Sequence, residues 1–150
     1  MKDGQTHVAH KAEHAVDMET GAVPAVTLQD ANAGDTTTIQ QTLVAAAEQM
    51  EKLTDSLETA EQIARNWLTE VVADKGYHSN ETMVDLKEFG IRSYISEPKR
   101  GRRHWIDKPE ERDAVYANRR RIQGERGKSL LRRRGLMLER PFAHCYETVE

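Results

Sequence analysis

The sequence predicts an α/β fold in one domain. Three segments carry this prediction: a short apolar strand that ends at Asp74, a helix that stops at Gly90, and a second strand over Ile91–Ile95. A strand, a helix and a strand in this order favour parallel pairing. A chain of 150 residues has room for one modest core. We therefore expect a single domain over residues 1–150, with helices packed against a sheet.

The N-terminal part of the chain predicts a β-hairpin. Apolar residues partly alternate with polar ones over Thr6–Asp17, Glu19-Thr20-Gly21 supplies a turn, and a second strand-like run covers Ala22–Gln29. Pro24 cannot donate to a strand ladder. The second strand is therefore expected at a sheet edge or with a bulge at this proline.

Two helices are predicted between the hairpin and Asp74. Thr36-Thr37-Thr38 offers an N-cap for a helix that runs through Met50. Apolar residues from Ala60 to Leu68 recur every three or four positions and form one stripe. Both segments therefore have the amphipathic pattern of helices that pack on a sheet.

The last third of the chain predicts a loop and two helices. Residues 97–108 are rich in basic side chains and read as an exposed loop, after which Pro109 suits the first position of a helix. Gly124 and Gly127 interrupt that helix. A final helix is expected over about Gly127–Tyr146, weakened or kinked at Gly135 and Pro141.

The charge is distributed unevenly along the chain. The net charge is −3, but residues 1–96 carry 7 basic and 16 acidic side chains, whereas residues 97–140 carry 15 basic and 7 acidic ones. A local basic patch attracts nucleic acid even on a slightly acidic protein. The alternative is a solvated helix face that pairs with the acidic half. Composition alone favours neither, and the basic segment at 97–135 stays open to both.

The chain has no membrane or secretion signal. No run approaches the roughly 18 apolar residues of a transmembrane helix, and the N-terminus lacks the order of a signal peptide. The single cysteine, Cys145, excludes an internal disulfide and favours a structural thiol. We therefore expect an intracellular protein that does not bind membranes.

Three carboxylates stand at positions suited to a metal site. Asp17 closes the first strand-like run, Asp74 closes the apolar strand before Lys75-Gly76-Tyr77-His78, and Glu139 lies in the late helix. Phosphoryl transfer by paired divalent ions needs hard oxygen ligands on rigid elements. If the two strands lie side by side, both aspartates emerge near one edge. Among 25 acidic residues such triples also arise by chance.

The same segments resemble a known family. The residues are Ala73-Asp74-Lys75-Gly76-Tyr77-His78-Ser79, Glu139-Arg140-Pro141-Phe142-Ala143, His14-Ala15-Val16-Asp17 and the stretch 21–35. They resemble the catalytic domain of DDE-type insertion-sequence transposases over nearly the whole chain. The resemblance implies a ribonuclease-H-like mixed sheet flanked by helices, with Asp17, Asp74 and Glu139 as the acidic triad that binds two Mg²⁺ or Mn²⁺ ions. Glu125 is the rival third ligand.

The resemblance also implies a reaction and partners. The reaction is nicking at transposon ends followed by attack of a 3′-hydroxyl on target DNA, so the partner is double-stranded DNA and the location is the nucleoid in the cytoplasm. A homo-oligomer stays open. The residues expected at DNA phosphates are Lys75, Arg102, Arg103, Tyr116, Arg119, Arg120, Arg121, Arg132, Arg133 and Arg140. For Lys75 and Arg140, which flank two of the predicted ligands, balancing the local charge is an equal alternative.

Two further groups have competing interpretations. Trp105 lies among basic residues and suits stacking on a base, but covering the start of the following helix is the favoured role. His7, His10 and His14 suggest a zinc site, yet in a strand these offsets do not place all three on one face. A surface role in the hairpin is therefore favoured over a zinc site for these three histidines.

Compared with the family, the chain lacks an N-terminal end-recognition region and stops soon after Glu139. We therefore expect a truncated transposase with an incomplete fold and weak or no autonomous transposition. The alternative is a noncatalytic DNA-binding remnant that uses the arginine-rich third of the chain. A third option is an unstable remnant without function.

Overall fold

The computed structural model describes residues 10–55 and 67–147, with side chains described through residue 138. Four helices and two small sheets are mixed along this part of the chain, in agreement with the predicted α/β class. The elements are β1 (His10–Ala15), β2 (Ala25–Asp30), α1 (Asp35–Thr54), β3 (Glu70–Ala73), α2 (Asn80–Glu88), β4 (Arg92–Ile95), α3 (Pro109–Gln123) and α4 (Glu125–Glu147).

The predicted hairpin is present. Strands β1 and β2 pair antiparallel, with Ala12 opposite Leu28. The backbone N–H of Gly21 donates to the carbonyl of Asp17 over 2.8 Å. Gly21 has a φ of 77°, a conformation that favours glycine. Strand β2 begins just after Pro24, so the proline stays outside the ladder.

Helix α1 packs across the hairpin and starts differently from the prediction. We predicted the threonines at 36–38 as the N-cap, but the helix begins at Asp35 and its N-cap residue makes no side-chain hydrogen bond. The hydroxyl of Thr38, inside the first turn, donates to the carboxylate of Glu13 on β1 instead. The helix predicted from Ala60 to Leu68 lies mostly outside the described residues.

The strand–helix–strand unit forms as predicted. Strands β3 and β4 are parallel, with Val71 opposite Ser93. Helix α2 between them is capped by Ser79, whose hydroxyl accepts the backbone N–H of Thr82 over 2.9 Å. The helix ends just before Gly90, which has a φ of 71°.

The hydrophobic core lies between the parallel strands and helices α1, α2 and α3. Its buried members share an aliphatic or thioether side chain: Ile39, Val71, Ala73, Met83, Leu86, Ile95, Ala114 and Val115. The edge of β4 is covered by α3, where the side chain of Asn118 accepts the N–H of Ile95 over 3.0 Å and donates to its carbonyl over 2.8 Å. This helix therefore completes the hydrogen bonding of the strand at its edge.

The C-terminal helices follow the predicted order. Pro109 occupies the first turn of α3, and Gly124 separates α3 from α4. Helix α4 starts at Glu125, slightly earlier than predicted, so Gly127 lies inside this helix and does not interrupt it. Gly127 lets α3 and α4 meet closely, since a Cβ there would overlap the carbonyl of Arg121. Helix α4 runs as one element through Gly135 and the proline at position 141.

The described strands form two separate pairs, β1–β2 and β3–β4. The mixed sheet that we expected, with the Asp17 strand beside the Asp74 strand, is not formed by these strands. Helix α1 connects the pairs instead, since it contacts β1, β2 and the turn after β3. Among the described helices, none has the length and apolar character to cross a membrane.

Candidate functional site

Asp74 stands at the exposed end of a buried strand. Strand β3 ends at Ala73, and residues 74–77, which we call the Asp74 turn, then fold into a 3-10 turn. The Asp74 carboxylate accepts the N–H of Lys75 over 2.7 Å. The N–H of Tyr77 donates to the Asp74 carbonyl over 3.0 Å. The carboxylate is exposed to solvent and is held at a fixed place by the turn.

Asp17 stabilises its own turn. Its carboxylate oxygens accept the N–H groups of Glu19 and Thr20, each over 3.1 Å, and the Thr20 hydroxyl. Partial burial opposes ionisation, but these hydrogen bonds and the positive charge of Arg133 lower the pKa of Asp17. The side chain is therefore an anion at neutral pH, with both oxygens already engaged as acceptors.

Helix α4 reaches the Asp17 turn. Met137 lies 3.8 Å from the position that a Cβ of Gly21 would take, and Arg133 acts electrostatically on Asp17. Glu139 follows Met137 in this helix, but its side chain lies outside the described residues, as do those of Arg140 and Cys145. The helix that carries the predicted third ligand thus approaches the first aspartate.

The described carboxylates do not converge on one point. Asp17 follows strand β1 of the antiparallel pair, and Asp74 follows strand β3 of the parallel pair. Among residues with described side chains, no group of three His, Cys, Asp or Glu is close enough to hold a metal ion. Glu125, the rival third ligand, is exposed and pairs with Lys128 over 2.8 Å. His10 and His14 lie on β1, and His7 lies outside the described residues.

A buried carboxylate that the sequence reasoning missed lies beside the Asp74 turn. Glu13 is only 4% exposed and accepts the hydroxyls of Thr38 and Thr42, the latter over 2.7 Å. Lys11 pairs with it over 2.9 Å, and the hydroxyl of Tyr77 donates to it over 3.2 Å. We call these five residues the Glu13 cluster. It joins β1, α1 and the Asp74 turn.

The Glu13 cluster keeps its charges fixed around neutral pH. Burial opposes ionisation of Glu13, but hydrogen bonds from Thr38, Lys11 and Thr42 lower its pKa below the usual value. Burial and the nearby Glu13 charge raise the pKa of Tyr77 to about 12. Tyr77 therefore stays a hydroxyl donor and Glu13 an anionic acceptor. Two inward-facing charged residues in one strand, Lys11 and Glu13, are the signal in the sequence that indicates such a cluster.

A basic cavity of about 710 Å³ opens between the loop after β4 and helix α3. Its lining consists of Glu97, Pro98, Lys99, Arg100, Gly101, Arg102, Arg103, Trp105, Tyr116 and Arg119. Five of these residues are cationic and one is anionic, and two are aromatic. The cavity therefore has the charge and the flat apolar surfaces that suit a nucleic acid.

Two arginines of the cavity share one carboxylate. Arg119 donates from Nε and Nη2 to the two oxygens of Glu97 over 2.9 and 3.0 Å, and Arg103 pairs with the same group over 2.9 Å. The Arg103 guanidinium lies 5.4 Å from the ring centre of Trp105, and that of Arg119 lies 4.7 Å from the ring centre of Tyr116. These contacts orient the arginines as a rigid group.

The other predicted DNA contacts differ in their surroundings. Arg121 donates to the carbonyl and hydroxyl of Ser93 over 2.8 and 2.9 Å, so its guanidinium serves strand β4. Trp105 is half-buried against the core and also lines the cavity, so both of its expected roles stay predictions. Among the cations predicted to contact DNA whose side chains are described, the ones exposed to solvent are Lys75, Arg102, Arg120, Arg132 and Arg133.

His78 is a buried histidine directly behind the Asp74 turn. It is 1% exposed, and neither ring nitrogen has a hydrogen-bond partner among the residues that the structure describes. Its carbonyl accepts Nη2 of Arg100 over 3.1 Å. Burial and the nearby charge of Arg103 lower the pKa of His78, so the ring is neutral at neutral pH. The histidine links the Asp74 turn to the wall of the basic cavity.

The fold and site together define an α/β domain with an anionic turn at a strand end and a basic, aromatic-lined cavity. The model of the transposase DDE domain family matches residues 1–145. The chain therefore belongs to this family, whose members act in DNA transposition. Comparisons with curated proteins and with solved structures gave no match.

Proposed function

We propose that this chain cleaves and transfers DNA strands in a divalent-metal-dependent reaction, with Asp17, Asp74 and Glu139 as the ligands. The family match over residues 1–145 is the observation that carries the proposal. The position of Asp74 supports it, since an exposed carboxylate on a hydrogen-bonded turn after a buried strand is a rigid ligand. We propose further that the complete catalytic unit has a ribonuclease-H-like sheet.

The donor chemistry of these residues fits Mg²⁺ or Mn²⁺, which prefer anionic oxygen ligands. Asp74 offers an exposed carboxylate with one described hydrogen bond, and the lowered pKa of Asp17 keeps it anionic. When bound, a pair of ions supplies activation of the attacking oxygen and stabilisation of the leaving oxygen. The protein contributes by holding the carboxylates in place and by binding DNA beside them.

The basic cavity supplies the DNA contacts in this proposal. Arg102 and Lys99 are exposed at its wall and neutralise phosphates, while Arg103 and Arg119 are positioned by Glu97. Outside the cavity, the exposed Lys75 lies next to Asp74. Arg120, Arg132 and Arg133 extend the positive charge along helices α3 and α4.

A second candidate function is noncatalytic DNA binding. It is favoured by one observation: both oxygens of Asp17 already accept hydrogen bonds within their own turn. In this case the excess of cations around the cavity accounts for DNA affinity, and the carboxylates have only structural roles. The two candidates make the same prediction for binding and opposite predictions for cleavage.

Replacement of Asp74 by Asn separates the two functions. With supercoiled plasmid and Mg²⁺ or Mn²⁺, we expect the wild-type chain to nick DNA and Asp74→Asn to reduce the nicking rate at least about 100-fold. DNA affinity, measured by fluorescence anisotropy over a range of salt concentrations, should stay within about twofold. Asp30→Asn is the matched control, because Asp30 is another exposed aspartate at a strand end. Nicking that persists in Asp74→Asn contradicts the catalytic proposal.

A further inference from the structure

We infer that Tyr77 and Glu13 are positioning residues that hold the Asp74 turn and so determine where the Asp74 carboxylate stands. The inference rests on the proposed function in one respect: that function makes Asp74 a metal ligand. It concerns side chains from three elements that are distant in sequence: strand β1, helix α1 and the turn after β3. Nothing in the family resemblance assigns a role to Glu13.

The first contact is the hydrogen bond at the end of the turn. Tyr77 is the last residue of the 3-10 turn, and its hydroxyl donates to Oε1 of Glu13 over 3.2 Å. The acceptor cannot move freely, because the Glu13 carboxylate is also bound by Thr38, Thr42 and Lys11. Tyr77 is thus anchored to a buried group that is itself fixed from two elements.

The second contact is at the glycine in the middle of the turn. A Cβ on Gly76 would overlap the carboxylate of Asp35, so the turn backbone packs directly against the first residue of α1. Asp35 in turn pairs with Lys11, which belongs to the Glu13 cluster. Two successive residues of the turn therefore contact one connected set of polar groups: Gly76 packs against Asp35, and Tyr77 donates a hydrogen bond to Glu13.

The position of Asp74 follows from these two anchors. The N–H of Tyr77 donates to the carbonyl of Asp74, and the N–H of His78 donates to the carbonyl of Lys75 over 3.1 Å. The exposed Asp74 side chain has one described hydrogen bond, from its neighbour Lys75. Its location thus depends on strand β3 before it and on Tyr77 after it. The Tyr77 hydroxyl, three residues after Asp74, thus helps to fix the Asp74 carboxylate without contacting it.

The experiment compares two tyrosines that make the same kind of bond. Tyr77→Phe removes the hydroxyl that binds Glu13, and Tyr94→Phe removes a hydroxyl that donates to Glu70 over 3.1 Å. Amide hydrogen exchange is followed by NMR in the full chain without metal. We expect Tyr77→Phe to accelerate exchange at the amides of residues 77 and 78 about fivefold, relative to the amide of Ile95. Tyr94→Phe should leave this ratio unchanged.

A second variant keeps the inference testable if Tyr77→Phe folds poorly. Glu13→Gln preserves the shape of the side chain and removes its charge, and it should accelerate exchange at the same two amides. Equal acceleration throughout the chain, or no local acceleration in either variant, overturns the inference. These outcomes do not depend on catalysis.

Nicking then tests the link to Asp74. In Tyr77→Phe we expect the Mn²⁺ concentration for half-maximal nicking to rise about three- to tenfold, with DNA affinity unchanged. An unchanged Mn²⁺ dependence, together with locally faster exchange, overturns the link to metal binding. If the wild-type chain does not nick DNA, the proposed function fails, and the exchange experiment still decides whether Glu13 and Tyr77 hold the turn.

Discussion

Glu13 and Glu97 are two carboxylates that bind cations in different surroundings. Glu13 is 4% exposed and is shared by two helix hydroxyls, a tyrosine and Lys11. Glu97 has an 18% exposed side chain and is shared by Arg103 and Arg119 at the wall of an open cavity. Three neutral hydroxyls and one cation surround Glu13, whereas the described partners of the Glu97 carboxylate are two arginines.

The difference teaches how one kind of side chain serves stability in one place and recognition in another. Around Glu13 the ammonium of Lys11 pairs with the carboxylates of both Glu13 and Asp35, and the Glu13 side chain is almost fully buried. Around Glu97 the cations outnumber the anion, so the carboxylate orients two arginines and leaves net positive charge at the surface. Substitution of Glu13 should therefore change the free energy of unfolding, and substitution of Glu97 should change the affinity for DNA.

The largest effect is expected from Glu13→Ala. Removing the carboxylate takes away the buried acceptor that the hydroxyls of Thr38 and Thr42 share, while Lys11 keeps its pairing with Asp35. We expect the free energy of unfolding to fall by about 2 to 3 kcal/mol. Urea denaturation monitored by circular dichroism measures it. Glu48→Ala, at an exposed position of α1, is the control, and a loss below about 0.5 kcal/mol for Glu13→Ala would show that the cluster contributes little.

A smaller effect, a gain in DNA affinity, is expected from Glu97→Gln. Because the carboxylate neutralises part of the charge of Arg103 and Arg119, its loss should raise DNA affinity about two- to tenfold at low salt and steepen the dependence of log K on log salt. Fluorescence anisotropy with a labelled duplex measures both quantities.

The matched control for Glu97→Gln is Glu110→Gln. It changes the net charge equally, at an exposed position in the first turn of α3. If the two variants gain affinity to the same extent, the effect comes from overall charge and not from the cavity. A loss of affinity in Glu97→Gln alone would show that orientation of the two arginines matters more than the charge that is removed.

The same comparison shows what the sequence predicted and what it did not. The strand–helix–strand unit was predicted because apolar runs, Ser79 and Gly90 are local signals of buried strands and helix ends. The Glu13 cluster was not, because the Thr38 and Tyr77 hydroxyls come from positions 25 and 64 residues away from Glu13. Lys11 and Glu13 on one face of β1 are a local signal of a buried charge, but the partners of Glu13 follow only from tertiary packing.

The roles of the individual arginines were hidden for a related reason. The run at 119–121 predicts a basic surface, but neighbouring residues of a helix point in different directions. Arg119 faces Glu97, Arg120 faces solvent and Arg121 binds Ser93 of β4. The excess of charge was thus evident from composition, whereas its division between the cavity and the sheet edge required the fold.

The smallest effect is a pH dependence from His78, which lies between the two carboxylate sites. Burial lowers its pKa in the folded state, and Arg103 and Arg100 oppose its protonation while Glu97 favours it. The unfolded chain therefore binds a proton below about pH 6.5 that the folded chain does not, so stability is present above that pH and falls as the pH drops toward the lowered pKa. The slope is at most about 1.4 kcal/mol per pH unit. In His78→Phe the decline in the unfolding free energy between pH 7.5 and 5.5 should be shallower than in the wild type. Equal declines in both proteins would mean that His78 takes up a proton within the fold, with Glu97 compensating the two arginines.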